Sequence, residues 1–137
     1  MSHTQQAVDE LKEEFGFFDN WMDRYQYIMD LGKALPVFPD EWKIAEYRID
    51  GCQSNVWFHH EFKENVLHFD ASSDAAIVTG LVAIVLRIFN DRHPQEILDT
   101  PTDILKELGL EQHLSPTRNN GLHAMLGHIY RLASQHV

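Results

Sequence analysis

The chain has 137 residues and a mass of 15.9 kDa, with 11 basic against 21 acidic side chains, a formal net charge of −10, and 44% hydrophobic beside 23% charged residues. That balance argues against a disordered chain, and the acid excess argues against general binding to nucleic-acid phosphates or anionic membrane surfaces. One domain spanning 1–137 is the expectation, because domains most often run to about 100–150 residues.

Thr4 can cap a first helix in which Val8, Leu11 and Phe15 share one face. Asp19 starts a second, with Trp21, Tyr25, Ile28 and Leu31 in register, ending near Gly32 and stopped by Pro36. From Pro36 to Glu46 the chain reads as an irregular connection. The period then changes to two in Tyr47-Arg48-Ile49, Val56–Phe62 and Val66–Phe69, which predicts three short strands. The last two are joined by Lys63-Glu64-Asn65, a hairpin-length link in which Asn65 tolerates the left-handed conformation.

Beyond Ala71 the pattern is helical. Ser72 or Ser73 can cap an apolar helix, with Asp74 in its first turn, where a carboxylate meets the positive end of the dipole. The apolar stretch Ala75–Phe89 is about 22 Å long as a helix. A bilayer core is about 30 Å thick, so the stretch predicts a buried core helix. Pro94, Pro101 and Pro116 each follow a residue able to start a helix, and Gly109 can end the one carrying Ile104, Leu105 and Leu108. Leu122, Met125, Leu126, Ile129 and Leu132 give the final helix a core stripe. The expected fold is α+β: a small three-stranded antiparallel sheet packed against several helices.

Cys52 is the only cysteine, which removes any intrachain disulfide, Cys-x-x-Cys redox pair or thiolate-rich zinc site. The start, Met1-Ser2-His3-Thr4, lacks the basic and apolar regions of a secretory signal, so a reducing, cytoplasmic setting is expected. Nine histidines show no i, i+4 pair, and His59 and His60 project to opposite strand faces, so no metal site is expected.

Between the first two strands runs Ile49-Asp50-Gly51-Cys52-Gln53-Ser54-Asn55-Val56-Trp57. Gly51 gives access to positive φ and Gln53, Ser54 and Asn55 suit a turn, which puts Cys52 at a loop tip. Two readings stand side by side: a small buried hydrophobe, or a reactive thiol. A reactive thiol needs a cation or base, for which the sequence offers His59, His60 and Arg118. With no second cysteine to resolve an intermediate, a sulfur placed on Cys52 would persist until another protein took it. A stand-alone cysteine-nucleophile enzyme with a histidine base and a non-catalytic binding module remain alternatives.

The Cys52 segment resembles the active-site signature of the SufE family, sulfur acceptors that partner cysteine desulfurases in iron–sulfur cluster assembly. Ser73–Leu81 and Leu114–Met125 agree in order and spacing, and the likeness runs from about Asp19 to the carboxyl end. The resemblance implies a compact α+β fold similar to the scaffold proteins of the pathway. It also implies that Cys52 takes a sulfane sulfur from the desulfurase's persulfide and that Gly51, Gln53 and Ser54 form the sheltering loop. Asp74 and Arg118 match positions near that loop and take supporting or partner-contacting roles. Thr117 stands where many relatives carry serine, and both carry a hydroxyl. The implied partners are a cysteine desulfurase, which the protein stimulates, and a downstream iron–sulfur scaffold or sulfur acceptor. No cofactor is implied for the chain itself, since pyridoxal phosphate belongs to the desulfurase.

Overall fold

A computed structural model of the chain describes residues 2–137. Helix α1 spans His3–Phe15 and α2 spans Trp21–Lys33. The cap of α1 is Ser2, whose hydroxyl accepts the Gln5 N–H at 3.1 Å. Thr4, the predicted cap, lies inside the helix, where its hydroxyl meets that of Thr100 at 2.8 Å and is buried. Asn20 rather than Asp19 caps α2, accepting from the Asp23 N–H at 2.9 Å. Both shifts leave the predicted apolar faces in place: Val8, Leu11, Phe15 and Ile28 are buried.

The sheet is a two-stranded antiparallel ribbon, β1 (Val56–Lys63) and β2 (Val66–Ser73), not three strands. Phe58 pairs with Ala71 and His60 with Phe69, so Val56, Phe58, Leu67, Phe69 and Ala71 enter the core. Glu64 and Asn65, both at positive φ, make the turn. The predicted first strand fails because Ala45–Tyr47 coils into a 3-10 turn. What remains is a single bridge from Arg48 to Trp57, on the edge of β1 away from β2. A second isolated bridge, Leu67 to Arg92, sits on the outer edge of β2.

Helix α3 (Ala76–Phe89) is the centre of the molecule, with Leu81, Val82, Ile84, Val85, Ile88 and Phe89 buried. It crosses α2 at a pair of glycines: a Cβ on Gly32 would stand 2.7 Å from the Gly80 nitrogen, so only bare Cα atoms allow this approach. No helix among the described residues is long and apolar enough to cross a membrane. Pro94 and Pro116 open α4 (Pro94–Asp99) and α5 (Pro116–Gln135) as predicted, their fixed φ already helical. Pro101 opens no α-helix; a 3-10 segment, Ile104–Leu108, follows and closes on Gly109 at φ +72. Helix α5 carries Leu122, Met125 and Ile129 into the core and brings its amino-terminal half beside the loop between Ile49 and Val56.

Candidate functional site

The loop holding Cys52 is closed at its base from both sides. The Ile49 N–H donates to the Val56 carbonyl at 2.8 Å. Across from it, Asp74 accepts the Asn55 N–H at 3.1 Å and the Asn55 side-chain amide at 2.8 Å. The Asn55 carbonyl in turn accepts the Ser73 hydroxyl at 2.7 Å and the Asp74 N–H at 3.3 Å. Asp74 therefore does not stand in the first turn of α3, as its sequence suggests. The ribbon register claims Ser72 and Ser73 for β2, Ala75 becomes the residue before the helix, and the Asp74 carboxylate turns to the loop.

At the tip, Gly51 adopts φ +92, a conformation that favours glycine. The turn lays Cys52 against α5: its Sγ donates to the Gly121 carbonyl at 3.6 Å, and the residue is half-buried. A cavity of about 350 Å³ opens beside it. Gln53 and Ser54 line this space from the loop, Ile77 and Leu81 from α3, and Thr117, Arg118 and Met125 from α5. The predicted loop residues Gly51, Gln53 and Ser54 thus lie together with Cys52, Arg118 lines the same cavity, and Asp74 holds the loop's base rather than its tip.

Burial pushes the Cys52 thiol above its ordinary range, and the Arg48 guanidinium pulls the other way. The histidines offered by the sequence do not act on it. His59 stacks on Trp42 at 3.6 Å with the rings 4° from parallel, and burial together with His136 and His59 holds His60 below the usual imidazole range. Neither lines the cavity, nor does any other histidine among the described residues. Trp57, close to Cys52 in sequence, carries the Lys43 ammonium 6.0 Å from its ring centroid and stands outside the cavity lining. No group of three or more His, Cys, Asp or Glu side chains among the described residues is arranged to hold a metal ion.

Three participants escape a reading of the sequence. Arg48 reads there as part of a strand, Asn55 only as a turn residue, and Gly121 as a helical residue without a role. Gly121 does carry a signal, since an interior helical glycine costs about 1 kcal/mol relative to alanine and asks for a reason.

A helix-backed ribbon that presents one thiol on a glycine-turned loop, at the wall of a cavity and without metal ligands around it, defines a thiol-bearing α+β protein. The chain belongs to the SufE family: residues 9–133 match the family model described as "SufE: Fe-S metabolism associated domain", which assigns it a role in iron–sulfur metabolism. It is 41% identical over 128 residues to an uncharacterized SufE-like protein of Rhizobium meliloti, covering 90% of this chain and 91% of that one. A SufE-like protein of Rhizobium etli, also uncharacterized, is 38% identical over 128 residues, 90% of this chain and 86% of its own. The fold matches the solution structure of a hypothetical protein from Thermus thermophilus with a TM-score of 0.76 over 94% of each chain, at 18% identity.

Proposed function

We propose that the protein accepts sulfur on Cys52 from a cysteine desulfurase, stimulates that enzyme by unloading it, and passes the sulfur to an iron–sulfur scaffold or another acceptor. The observation that carries the reading is the only thiol of the chain standing at the tip of a loop closed at its base, at the wall of a cavity with room for added sulfur. In the transfer, the Cys52 thiolate attacks the terminal sulfur of the donor's persulfide. The donor's S–S bond breaks, a new one forms to Cys52, and the donor cysteine leaves as a thiolate that takes up the proton Cys52 gave to solvent. Bond exchange conserves electrons, so the step needs no oxidant. Pyridoxal phosphate chemistry belongs to the desulfurase.

The raised pKa of the seated thiol means that little thiolate exists at neutral pH while the loop lies on α5. Docking of the donor is the event that lifts the sulfur into reach, with Arg48 and Arg118 near the loop to favour the thiolate. Gln53 and Ser54 keep the sheltering role, and a thiol that must stay reduced between cycles suits the cytoplasm. A stand-alone thiol enzyme asks for a histidine base beside Cys52, and the cavity lining supplies none among the described residues.

The test is an intact-mass measurement after incubation with a desulfurase, cysteine and pyridoxal phosphate. Wild type gains the mass of one sulfur atom and Cys52→Ser, folded, gains none. Absence of the adduct on wild type, with the desulfurase active, refutes the proposal.

A further inference from the structure

At the wall of the cavity, which Cys52 and Gly121 both line, the sulfur rests on a helix. Three observations converge on one point of α5. The Cys52 sulfur donates to the Gly121 carbonyl at 3.6 Å. A Cβ built on Gly121 would stand 3.5 Å from that sulfur and 3.9 Å from the Cys52 Cβ, ordinary contact distances, so the thiol packs directly on this point of the helix and a methyl would just fill the gap. One helical turn on, a Cβ on Gly51 would come within 3.2 Å of the Ala124 Cβ, so the loop tip is laid against the same strip of α5. Gly121 is itself buried, and a hydrogen bond made in such surroundings is electrostatically stronger than one in open water.

We propose that Gly121 is the positioning residue that sets the resting state of Cys52: with nothing beyond a Cβ position at this point, the thiol reaches the surface of α5, and the Gly121 carbonyl takes the S–H hydrogen bond that holds the sulfur protonated until the loop lifts. This rests on the reading of Cys52 as the sulfur acceptor and assigns a residue that governs when it reacts. A carbonyl can accept from a thiol and offers nothing to a thiolate, so the contact favours the unreactive form. The charged group that acts on the sulfur is Arg48, and Arg118 of α5 lines the same cavity; Asp50 belongs to the loop and Asp74 to its base, and the hydrogen bond of the thiol goes to the Gly121 carbonyl.

Size at position 121 then gives an ordered response. Alanine places a methyl at ordinary contact distance, so the thiol stays seated. Valine adds two branches about 1.5 Å beyond a Cβ that already stands 3.5 Å from the sulfur, which crowds the seat and favours departure of the loop.

The experiment is the rate of Cys52 alkylation by iodoacetamide across pH, on the intact chain without a desulfurase, for wild type, Gly121→Ala, Gly121→Val and a control on the same helix, Gly127→Ala. Gly121→Val is expected to react about tenfold faster at pH 7 with its midpoint about one pH unit lower, while both alanine variants stay within about twofold of wild type. A folded Gly121→Val with the wild-type rate and midpoint overturns the proposal. Should valine prevent folding, the Raman S–H band of wild type decides, because Cys52 is the only thiol. A band displaced to the position of a hydrogen-bonded donor, and restored by urea to that of a free thiol, upholds the seat; a free-thiol band in the folded protein overturns it. Neither readout involves sulfur transfer, so failure of the transfer leaves them standing, and their failure leaves sulfur acceptance untouched.

Discussion

Gly80 of α3 lies against the main chain of Ile28 in α2 so closely that a Cβ there would stand 2.6 Å from the Ile28 Cγ2 and 2.7 Å from its carbonyl carbon, and nearer still to its oxygen. In an exposed helix, replacing glycine with alanine gains about 1 kcal/mol. Here the added methyl meets the Ile28 main chain, which cannot give way cheaply, as well as its Cγ2, so Gly80→Ala is expected to destabilise the protein by about 2–3 kcal/mol. Urea unfolding monitored by circular dichroism checks the sign, and a stabilised variant would contradict the helix crossing.

Asp74 tests the clamp at the base of the Cys52 loop. Asp74→Ala removes an acceptor used twice by Asn55, an exposed and therefore modest pair of hydrogen bonds. A loss of about 1 kcal/mol in loop closure is expected, which raises the alkylation rate of Cys52 by about fivefold while global stability changes little. Asp74→Asn, which keeps one carbonyl acceptor, should fall between.

The cation at the thiol is Arg48, not a histidine. Arg48→Ala is expected to push the already raised Cys52 ionisation higher and to slow alkylation at pH 7 by about twofold, the small size reflecting the exposure of the guanidinium. His59→Ala and His60→Ala, provided they fold, leave the rate–pH curve where it is.

Two groups divide the acid limb of stability. His128 packs edge-on to Phe58 at 5.7 Å, its Nε2 is buried without a partner, and burial, with Arg131 and His60, holds it down at about 4 against an ordinary 6.5. The unfolded chain therefore binds the proton first, so stability is full above pH 6.5, falls as pH drops below it and levels off near 4. His128→Leu is expected to recover about 1 kcal/mol at pH 5 relative to wild type, a figure reduced for the part of the ring that water reaches. Glu14 works lower. Its ion pair with Arg87, aided by Tyr27, holds its carboxyl below 4.5, so its contribution is present above that value and is lost as pH falls through the lowered one. Glu14→Gln should flatten only that last part of a urea-midpoint-against-pH curve.

The contrast between what the residues announce and what they conceal follows from the range of the interactions. Pro94 and Pro116 open helices because a fixed φ is a property of the residue itself, and the stripe from Leu122 to Leu132 is buried because periodicity reports a face directly. Cys52 at a loop tip is legible from Gly51 and its polar followers. Tyr47-Arg48-Ile49 misleads because alternation over three residues does not distinguish a strand from a turn that touches a strand once. Asp74 misleads for a different reason: whether a serine–serine–aspartate run belongs to the end of a strand or the start of a helix is decided by register with β1. The seat of Cys52 on Gly121 is beyond reach, because the two are separated by 69 residues and a glycine does not say which neighbour it admits.

The two isolated bridges on the ribbon bear on behaviour at high concentration. A ribbon of only two strands has two flanks of unpaired backbone, the usual template for one chain to recruit another into fibrous assemblies. Arg48 occupies the flank of one strand at Trp57, Arg92 that of the other at Leu67, and Glu61 and Lys63 put charge on the far end of the first. Each flank is thereby interrupted as a template for a foreign strand, which works against copies of this chain knitting together.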